Sequence, residues 1–300
     1  MGRESVPALR MRGLTKYYGD QCGVEDLDLE VRSGEVFGFL GPNGAGKTTT
    51  IRMLLGLIYP TRGEAWILGT ELASDAAGIR ARVGYLPGDL ALYDRMLGEE
   101  LLAFLARMRG GIDPARYRSL AERLELDLSR RISDLSRGNR QKIGVVQSFM
   151  HRPRLLILDE PTSGLDPLVQ LEFRRLVREA AADGATVFLS SHVLTEVEQM
   201  ADRVGIVNEG RLVMVDTVDG LREKATKRVE LDFPGRPPTV LASAPGVRGL
   251  EIHGDTAVCT VAGPVGALLA VAVGHGVLDV HTHDPDLEDA FLSYVSEGTP

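Results

Sequence analysis

The chain has 300 residues, about twice the length of a typical domain, so two domains are expected. Its 44% of hydrophobic and 25% of charged residues exclude wholesale disorder, which requires a depleted apolar fraction. The formal net charge is −8, whereas nucleic-acid-binding proteins typically carry an excess of positive charge, so no nucleic-acid partner is expected.

No export, lipid-attachment or membrane-spanning segment is predicted. Residues 1–5 have no apolar run behind them, and Val6 stands where myristoylation requires Ser or Thr. The longest apolar stretch, 261–274, is broken by glycine and proline and is shorter than the roughly 20 residues that span a bilayer. Any membrane role is therefore expected to depend on a partner. Cys22 and Cys259 are too few for a disulfide framework or a zinc site, which favours two reduced thiols in a cytosolic protein.

The first third of the chain predicts strands followed by a helix. Residues 8–12 and 24–31 alternate between apolar and polar side chains, as half-buried antiparallel strands do. Residues 35–40 are almost continuously apolar, which indicates a central buried strand. A helix is predicted over 48–57, and the pattern becomes helical from 90 to about 147.

Buried strands are predicted again at 155–158 and 186–190, with helices at 168–182 and 194–201. Alternating strands and helices predict an α/β core with a mainly parallel sheet. A boundary is expected between 222 and 223, where the pattern changes. The remaining residues predict a small α+β domain, with strands at 229–233, 257–261 and 277–280 and helices from Pro264 to Val273 and over 287–295.

A glycine-rich segment after the buried strand fits the phosphate-binding pattern G-x-x-x-x-G-K-[ST]. Its position between a predicted strand and a predicted helix favours phosphate binding over a plain turn with a solvated lysine. Lys47 is expected to reach the β- and γ-phosphates of a nucleotide, and Thr48 to bind Mg²⁺. The candidate nucleotide-binding residues are Gly41, Pro42, Asn43, Gly44, Ala45, Gly46, Lys47, Thr48 and Thr49.

Asp159 and Glu160 follow a buried strand, at the strand end where doubly wound sheets bind ligands. Asp159 is expected to hold Mg²⁺, and Glu160 to polarise the water that attacks the γ-phosphate of ATP. A solvated acidic turn is the alternative, and the upstream phosphate loop makes it the weaker one.

Further motifs identify a family. Residues 135–139 keep Ser136 and Gly138 of the signature Leu-Ser-Gly-Gly-Gln, residues 161–166 resemble the D-loop, and His192 stands at the position of the switch histidine. With these motifs and the phosphate loop, the chain resembles the ATP-binding subunit of an ABC transporter. The type it resembles is the ABC-2 or daunorubicin-resistance type of drug exporter. The resemblance implies a P-loop cassette over 1–222, with a mixed sheet core, an antiparallel β subdomain and a helical subdomain near 88–147, and an accessory domain over 223–300.

The resemblance also implies that two copies face each other head to tail around two ATP molecules. Lys47, Thr48, Asp159, Glu160 and His192 of one copy then bind each ATP together with Ser136 and Gly138 of the other. Ser136 as a plain helix cap and His192 as a surface side chain are the alternatives. The family's adenine-stacking aromatic residue corresponds to Tyr18, for which simple core packing remains open.

One position departs from the family. Gly88 stands where the family has its Q-loop glutamine. The role of that glutamine as a ligand near Mg²⁺ is then filled either by Asp89 or by backbone groups and water. Leu92, Tyr93 and Met96 lie where the family contacts its membrane partner, although subdomain packing explains each of them equally well.

The expected function is ATP hydrolysis that powers export of a drug-like small molecule through a separate membrane permease, with the chain on the cytoplasmic face of the membrane. The C-terminal residues 284–292 resemble the end of such exporter subunits. His281 and His283 are interpreted as solvated, because no further ligands complete a metal site. A soluble ATPase acting on nucleic acid or ribosomes, and a regulatory module with weak hydrolysis, are the alternative functions.

Overall fold

The computed structural model describes residues 6–224 and 226–283. It divides into two compact units between Val215 and Asp216, shortly before the predicted boundary at 222. No helix within the described ranges is long and apolar enough to cross a membrane.

The first unit alternates strands and helices. Its elements are β1 (Leu9–Tyr18), β2 (Gln21–Val31), β3 (Val36–Leu40), α1 (Lys47–Leu54), β4 (Arg62–Ile67), β5 (Thr70–Glu71), α2 (Ala76–Arg82), β6 (Val83–Leu86), α3 (Gly98–Met108), α4 (Pro114–Arg123), a 3₁₀ turn (Ile132–Asp134), α5 (Arg137–Phe149), β7 (Leu155–Asp159), α6 (Pro167–Ala182), β8 (Thr186–Ser191), α7 (Leu194–Glu198), β9 (Arg203–Asn208) and β10 (Arg211–Thr217).

The central sheet has the strand order β10-β9-β3-β8-β7-β6, and the neighbours from β9 to β6 pair in parallel. Every residue of β3, β7 and β8 is buried, as their continuously apolar sequences predict. Because the strands are parallel, their carboxyl ends meet at one edge, where the functional candidates lie. The predicted α/β core is confirmed.

A second sheet of the first unit has the order β2-β1-β4-β5, with antiparallel pairing throughout. The alternation at 8–12 and 24–31 predicted the first two strands correctly. Leu9, Met11 and Leu27 point into a core shared with α1 and the central sheet, and are almost fully buried.

The prediction of helix from residue 90 is wrong over 90–97. Backbone hydrogen bonds from Gly98 to Arg130, from Ile132 to Met96 and from Ser133 to Asp94 fasten this segment to 130–133 instead. Helix α3 begins at Gly98, where the Glu100 carboxylate accepts a hydrogen bond of 2.8 Å from the Leu97 N–H. The helical subdomain is therefore formed by α3, α4 and α5.

The second unit contains α8 (Val218–Lys224), β11 (Thr226–Asp232), a 3₁₀ turn (Thr239–Ser243), β12 (Val247–His253), β13 (Thr256–Ala262), α9 (Gly266–Gly274) and β14 (Asp279–His283). Its antiparallel sheet has the order β12-β13-β11-β14. Cys259 is buried in the core of this unit, and burial raises the pKa of its thiol. The predicted helix over 287–295 lies outside the described residues.

Helix α9 starts two residues later than predicted, because Pro264 precedes the cap residue Val265. The side chains of α9 are apolar around the whole helix, and within it only Leu268 and Ala272 are fully buried.

The aromatic side chain of Phe188 is the centre of the central sheet's packing. Its ring centroid lies 5.9 Å from that of Phe37 and 5.4 Å from that of Phe39. We expect Phe188→Ala to lower the free energy of unfolding by about 3–5 kcal/mol, because it leaves a cavity in a fully buried site. Urea unfolding followed by Trp66, the single tryptophan, measures this in the first unit.

The control is Tyr59→Ala, since Tyr59 is 84% exposed and its loss is expected to cost less than about 0.5 kcal/mol. Equal destabilisation by both substitutions would contradict the packing described here.

Candidate functional site

The loop between β3 and α1 lines a groove of the first unit. Gly44 and Gly46 have φ values of 84° and 102°, the left-handed region that glycine adopts without strain. A Cβ atom at Gly46 would lie 2.6 Å from the Gly23 carbonyl oxygen, so no larger residue fits there. The loop therefore has the open concavity that phosphate groups require.

Lys47 lies at the start of α1 with its side chain only 6% exposed. Its Nζ donates hydrogen bonds of 2.7 Å to the Gly41 carbonyl and 3.1 Å to the Pro42 carbonyl. The same Nζ lies 3.3 Å from Glu160 Oε1. The ammonium group is thus held at the floor of the loop, beside the acidic end of β7.

Asp159 ends β7 and is 1% exposed. Its Oδ2 accepts a hydrogen bond of 2.9 Å from Thr48 Oγ1, and its Oδ1 accepts one of 2.5 Å from Ser190 Oγ. The start of α1 and the ends of β7 and β8 therefore meet at one carboxylate. Ser190 was not predicted as a site residue, although its place at the end of a predicted buried strand was the available signal.

Glu160 has a φ of 48°, which turns its side chain out of the strand. Its backbone N–H donates to Ser190 Oγ at 3.2 Å, and its Oε2 lies 2.9 Å from His192 Nδ1. Glu160 Oε1 is buried and accepts no hydrogen bond from the described residues, although the Lys47 ammonium lies 3.3 Å away. This oxygen is an acceptor that a water molecule or a ligand in the groove can use.

Tyr18 lies on the rim of the groove above the phosphate loop, with 48% of its side chain exposed. The Lys16 ammonium lies 5.3 Å from the centre of its ring. Tyr18 is therefore an accessible aromatic surface, and the core-packing alternative is excluded by its exposure. The exposed Cys22 lines the same groove.

The groove continues past Asp159 to Gly88. A Cβ atom at Gly88 would lie 3.4 Å from the Asp159 carboxyl group, so a longer side chain there would point at that carboxylate. Asp89 also lines this part of the groove and is exposed. Tyr85 lies beside it, and its burial and the Asp159 charge raise the pKa of its hydroxyl to about 12.

The two kept signature residues, Ser136 and Gly138, lie outside the phosphate-loop groove of their own chain. Ser136 is exposed and caps α5, with its Oγ accepting a hydrogen bond of 3.3 Å from the Asn139 N–H. The structure therefore brings together the predicted phosphate-loop residues, Asp159, Glu160 and His192, and leaves Ser136 and Gly138 apart from them.

The predicted contact residues of the helical subdomain lie in the extended segment before α3. Tyr93 is exposed and packs edge-on against Phe104 at 6.3 Å, whereas Leu92 and Met96 are half-buried.

The site residues fit a magnesium–nucleotide complex by their chemistry. Thr48 and Asp159 present hard oxygen atoms, which Mg²⁺ prefers, next to the glycine-rich loop. The buried Glu160 Oε1, which accepts no hydrogen bond from the described residues, belongs to a residue that lines the same groove. The fold and the site together define a P-loop nucleotide-binding protein.

Comparison with known proteins specifies this class further. The family described as ABC transporter matches residues 24–163. The chain is 35% identical to the bacitracin transport ATP-binding protein of Bacillus licheniformis, over 97% of this chain and 98% of that protein. It is 32% identical to the linearmycin resistance ATP-binding protein of Bacillus subtilis strain 168, over 95% and 97% respectively. A solved structure of an ATP binding subunit of an ABC transporter has a TM-score of 0.66 and 35% identity, over 72% of this chain and 92% of its own.

The chain therefore belongs to the ABC transporter family, among its ATP-binding subunits. The predictions of this family, of the cassette fold and of an ATPase are confirmed.

Substitution of Gly138 tests the packing between the signature, residues 135–139, and the D-loop, residues 161–166. A Cβ atom at this position would lie 2.5 Å from the Gly164 carbonyl oxygen. We expect Gly138→Ala to lower the free energy of unfolding by about 1–3 kcal/mol through overpacking, measured by Trp66 fluorescence in urea.

Gly88→Ala is the matched control, because a Cβ atom there makes only ordinary contacts, and a change below about 0.5 kcal/mol is expected. If Gly138→Ala were equally harmless, the close contact with Gly164 would not exist in solution.

Proposed function

We propose that the chain hydrolyses ATP at this groove to power export of an antibiotic-like small molecule through a separate membrane permease. The observation that carries the proposal is the meeting of Lys47, Asp159 and Glu160 at the end of one parallel sheet. The names of two full-length relatives, a bacitracin transport and a linearmycin resistance protein, support the class of cargo.

The phosphate loop and Lys47 bind the triphosphate of ATP. Backbone N–H groups of the loop and the N-terminus of α1 face the phosphates, and the Lys47 ammonium neutralises charge on the β- and γ-phosphates. Asn43, Thr49 and the other loop residues form the walls of the groove, and Tyr18 stacks on the adenine ring from its rim.

Mg²⁺, held by Thr48 and Asp159, would neutralise charge that develops on the phosphate oxygens. Ser190 fixes the second oxygen of the Asp159 carboxylate, so that the carboxylate keeps one orientation. Asp89 remains a candidate for an additional oxygen ligand, since it is exposed on the same groove.

Glu160 acts as the general base. Its Oε1, which accepts no hydrogen bond from the described residues, accepts one from the attacking water, while the Lys47 ammonium 3.3 Å from Oε1 and His192 at Oε2 hold the carboxylate in place. His192 Nδ1 contacts Glu160 Oε2, which leaves its other ring nitrogen available to face the γ-phosphate.

A second copy of the chain supplies the signature. Ser136 and Gly138 lie outside their own phosphate-loop groove, and Ser136 is exposed at the start of α5. In a head-to-tail dimer they offer a hydroxyl, N–H groups and a helix N-terminus to the γ-phosphate held by the partner. The dimer then encloses two ATP molecules between its subunits.

The cassette over 1–222 and the accessory domain over 223–300 are carried to the cytoplasmic face of the membrane by the permease. The exposed Tyr93, together with Leu92 and Met96, is the proposed contact with that protein.

Glu160→Gln is expected to reduce ATP turnover by at least about 100-fold, because it removes the base and keeps the shape of the side chain. ATP affinity is expected to stay within about threefold, and the dimer to become more stable with ATP. Steady-state hydrolysis, nucleotide titration and light scattering measure the three quantities. Unchanged turnover would remove Glu160 as the base.

Co-expression with the permease encoded beside this chain tests the transport role. We expect the two proteins to co-purify in mild detergent and the permease to raise ATP turnover. Co-sedimentation with ribosomes or nucleic acid, without association with the permease, would favour the soluble ATPase alternative.

A further inference from the structure

Two departures from the family's motifs meet in this structure. Gly88 replaces the Q-loop glutamine, and Arg137 replaces the first glycine of the signature. Arg137 lines the same groove as Gly88, together with Asp159 and His192. It also lines a second cleft with Gly88 and Asp89. Compared with the family's motifs, position 88 lacks a polar side chain and position 137 has an additional one, and both residues line the same groove.

The backbone of Arg137 belongs to the helical subdomain, but its side chain leaves that subdomain. Arg137 is the first residue of α5, and its guanidinium donates a hydrogen bond of 3.3 Å to Ser163 Oγ in the D-loop. Its stem passes Gly164, where a Cβ atom would lie 3.8 Å from the Arg137 Cγ. Successive residues of a helix are about 100° apart around its axis, so Arg137 lines this groove whereas Ser136 and Gly138 do not.

The charge of the groove favours a cation at this place. Asp89, Asp159 and Glu160 bring three carboxylates to its walls, and ATP would add a triphosphate. In the described part of its lining, Arg52 is the single further cation. Among the described residues Arg137 has no ion pair of its own, so its charge is available to a ligand. A guanidinium presents several donors in one plane and matches phosphate oxygens better than an ammonium does.

We propose that Arg137 binds the terminal phosphate of the ATP held by its own cassette, and thereby connects the helical subdomain to the part of the groove where Gly88 stands in place of the Q-loop glutamine. This inference rests on the proposed function, because it assumes that ATP occupies the groove. It differs from the role of Ser136 and Gly138, which act on the partner's ATP.

A double-mutant cycle between positions 88 and 137 tests the inference. We expect Arg137→Gly to lower kcat for ATP about tenfold to 100-fold, the effect of losing a hydrogen bond to a charged group. Gly88→Gln in the same chain is expected to restore kcat to within about threefold. Arg137→Lys is expected to retain part of the activity because it keeps the charge.

Arg140→Gln is the matched control, and it is compared with the same substitution at the proposed site, Arg137→Gln. Arg140 lies on the same helix and donates to the Ser133 carbonyl, and it does not line the groove at Asp159. Its substitution is expected to change kcat less than twofold.

Nucleotide binding gives a readout that does not depend on turnover. In the Glu160→Gln background, Arg137→Gly should weaken binding of ATPγS about tenfold or more and leave ADP affinity unchanged, because ADP lacks the terminal phosphate. Equal effects on both nucleotides, or a loss of kcat that Gly88→Gln does not relieve, would overturn the proposal. Absence of turnover in the unsubstituted protein would instead refute the proposed function, and the ATPγS comparison would still decide the role of Arg137.

Discussion

The hydrogen bonds at the Asp159 carboxylate are the contacts on which the site depends. One oxygen binds the Thr48 hydroxyl from the start of α1, and the other binds the Ser190 hydroxyl from the end of β8. These contacts exist only because β3, β8 and β7 are parallel neighbours whose ends lie at the same edge of the sheet. The carboxylate is almost fully buried, so both of its oxygens need partners.

The same sheet edge places three of the candidate site residues next to one another. Lys47 Nζ lies 3.3 Å from Glu160 Oε1, and Glu160 Oε2 lies 2.9 Å from His192 Nδ1. Lys47 begins α1, Glu160 directly follows β7 and His192 directly follows β8. The packing of Phe188 between Phe37 and Phe39 keeps the central strands in register behind them. The packing of the central sheet therefore determines both the stability of the core and the geometry of the site.

Much of this arrangement could be predicted from the sequence, because its signals are local. Continuous apolar runs predicted the buried strands, and Lys47 and Asp159 stand in motifs of fixed spacing. Contacts between distant segments could not be predicted. The extended segment before α3 is held by bonds to 130–133, and the side chain of Arg137 is directed by its contact with Ser163. Tertiary packing determines these conformations, and no local sequence pattern encodes it.

In the proposed function, Asp159 couples nucleotide binding to Mg²⁺. Titration of ATP in the presence of Mg²⁺ and in the presence of a chelator, for the unsubstituted protein and for Asp159→Asn, tests this most directly. We predict that Mg²⁺ strengthens ATP binding to the unsubstituted protein by about tenfold or more, and that Asp159→Asn loses this gain. The same gain in both proteins would contradict the account.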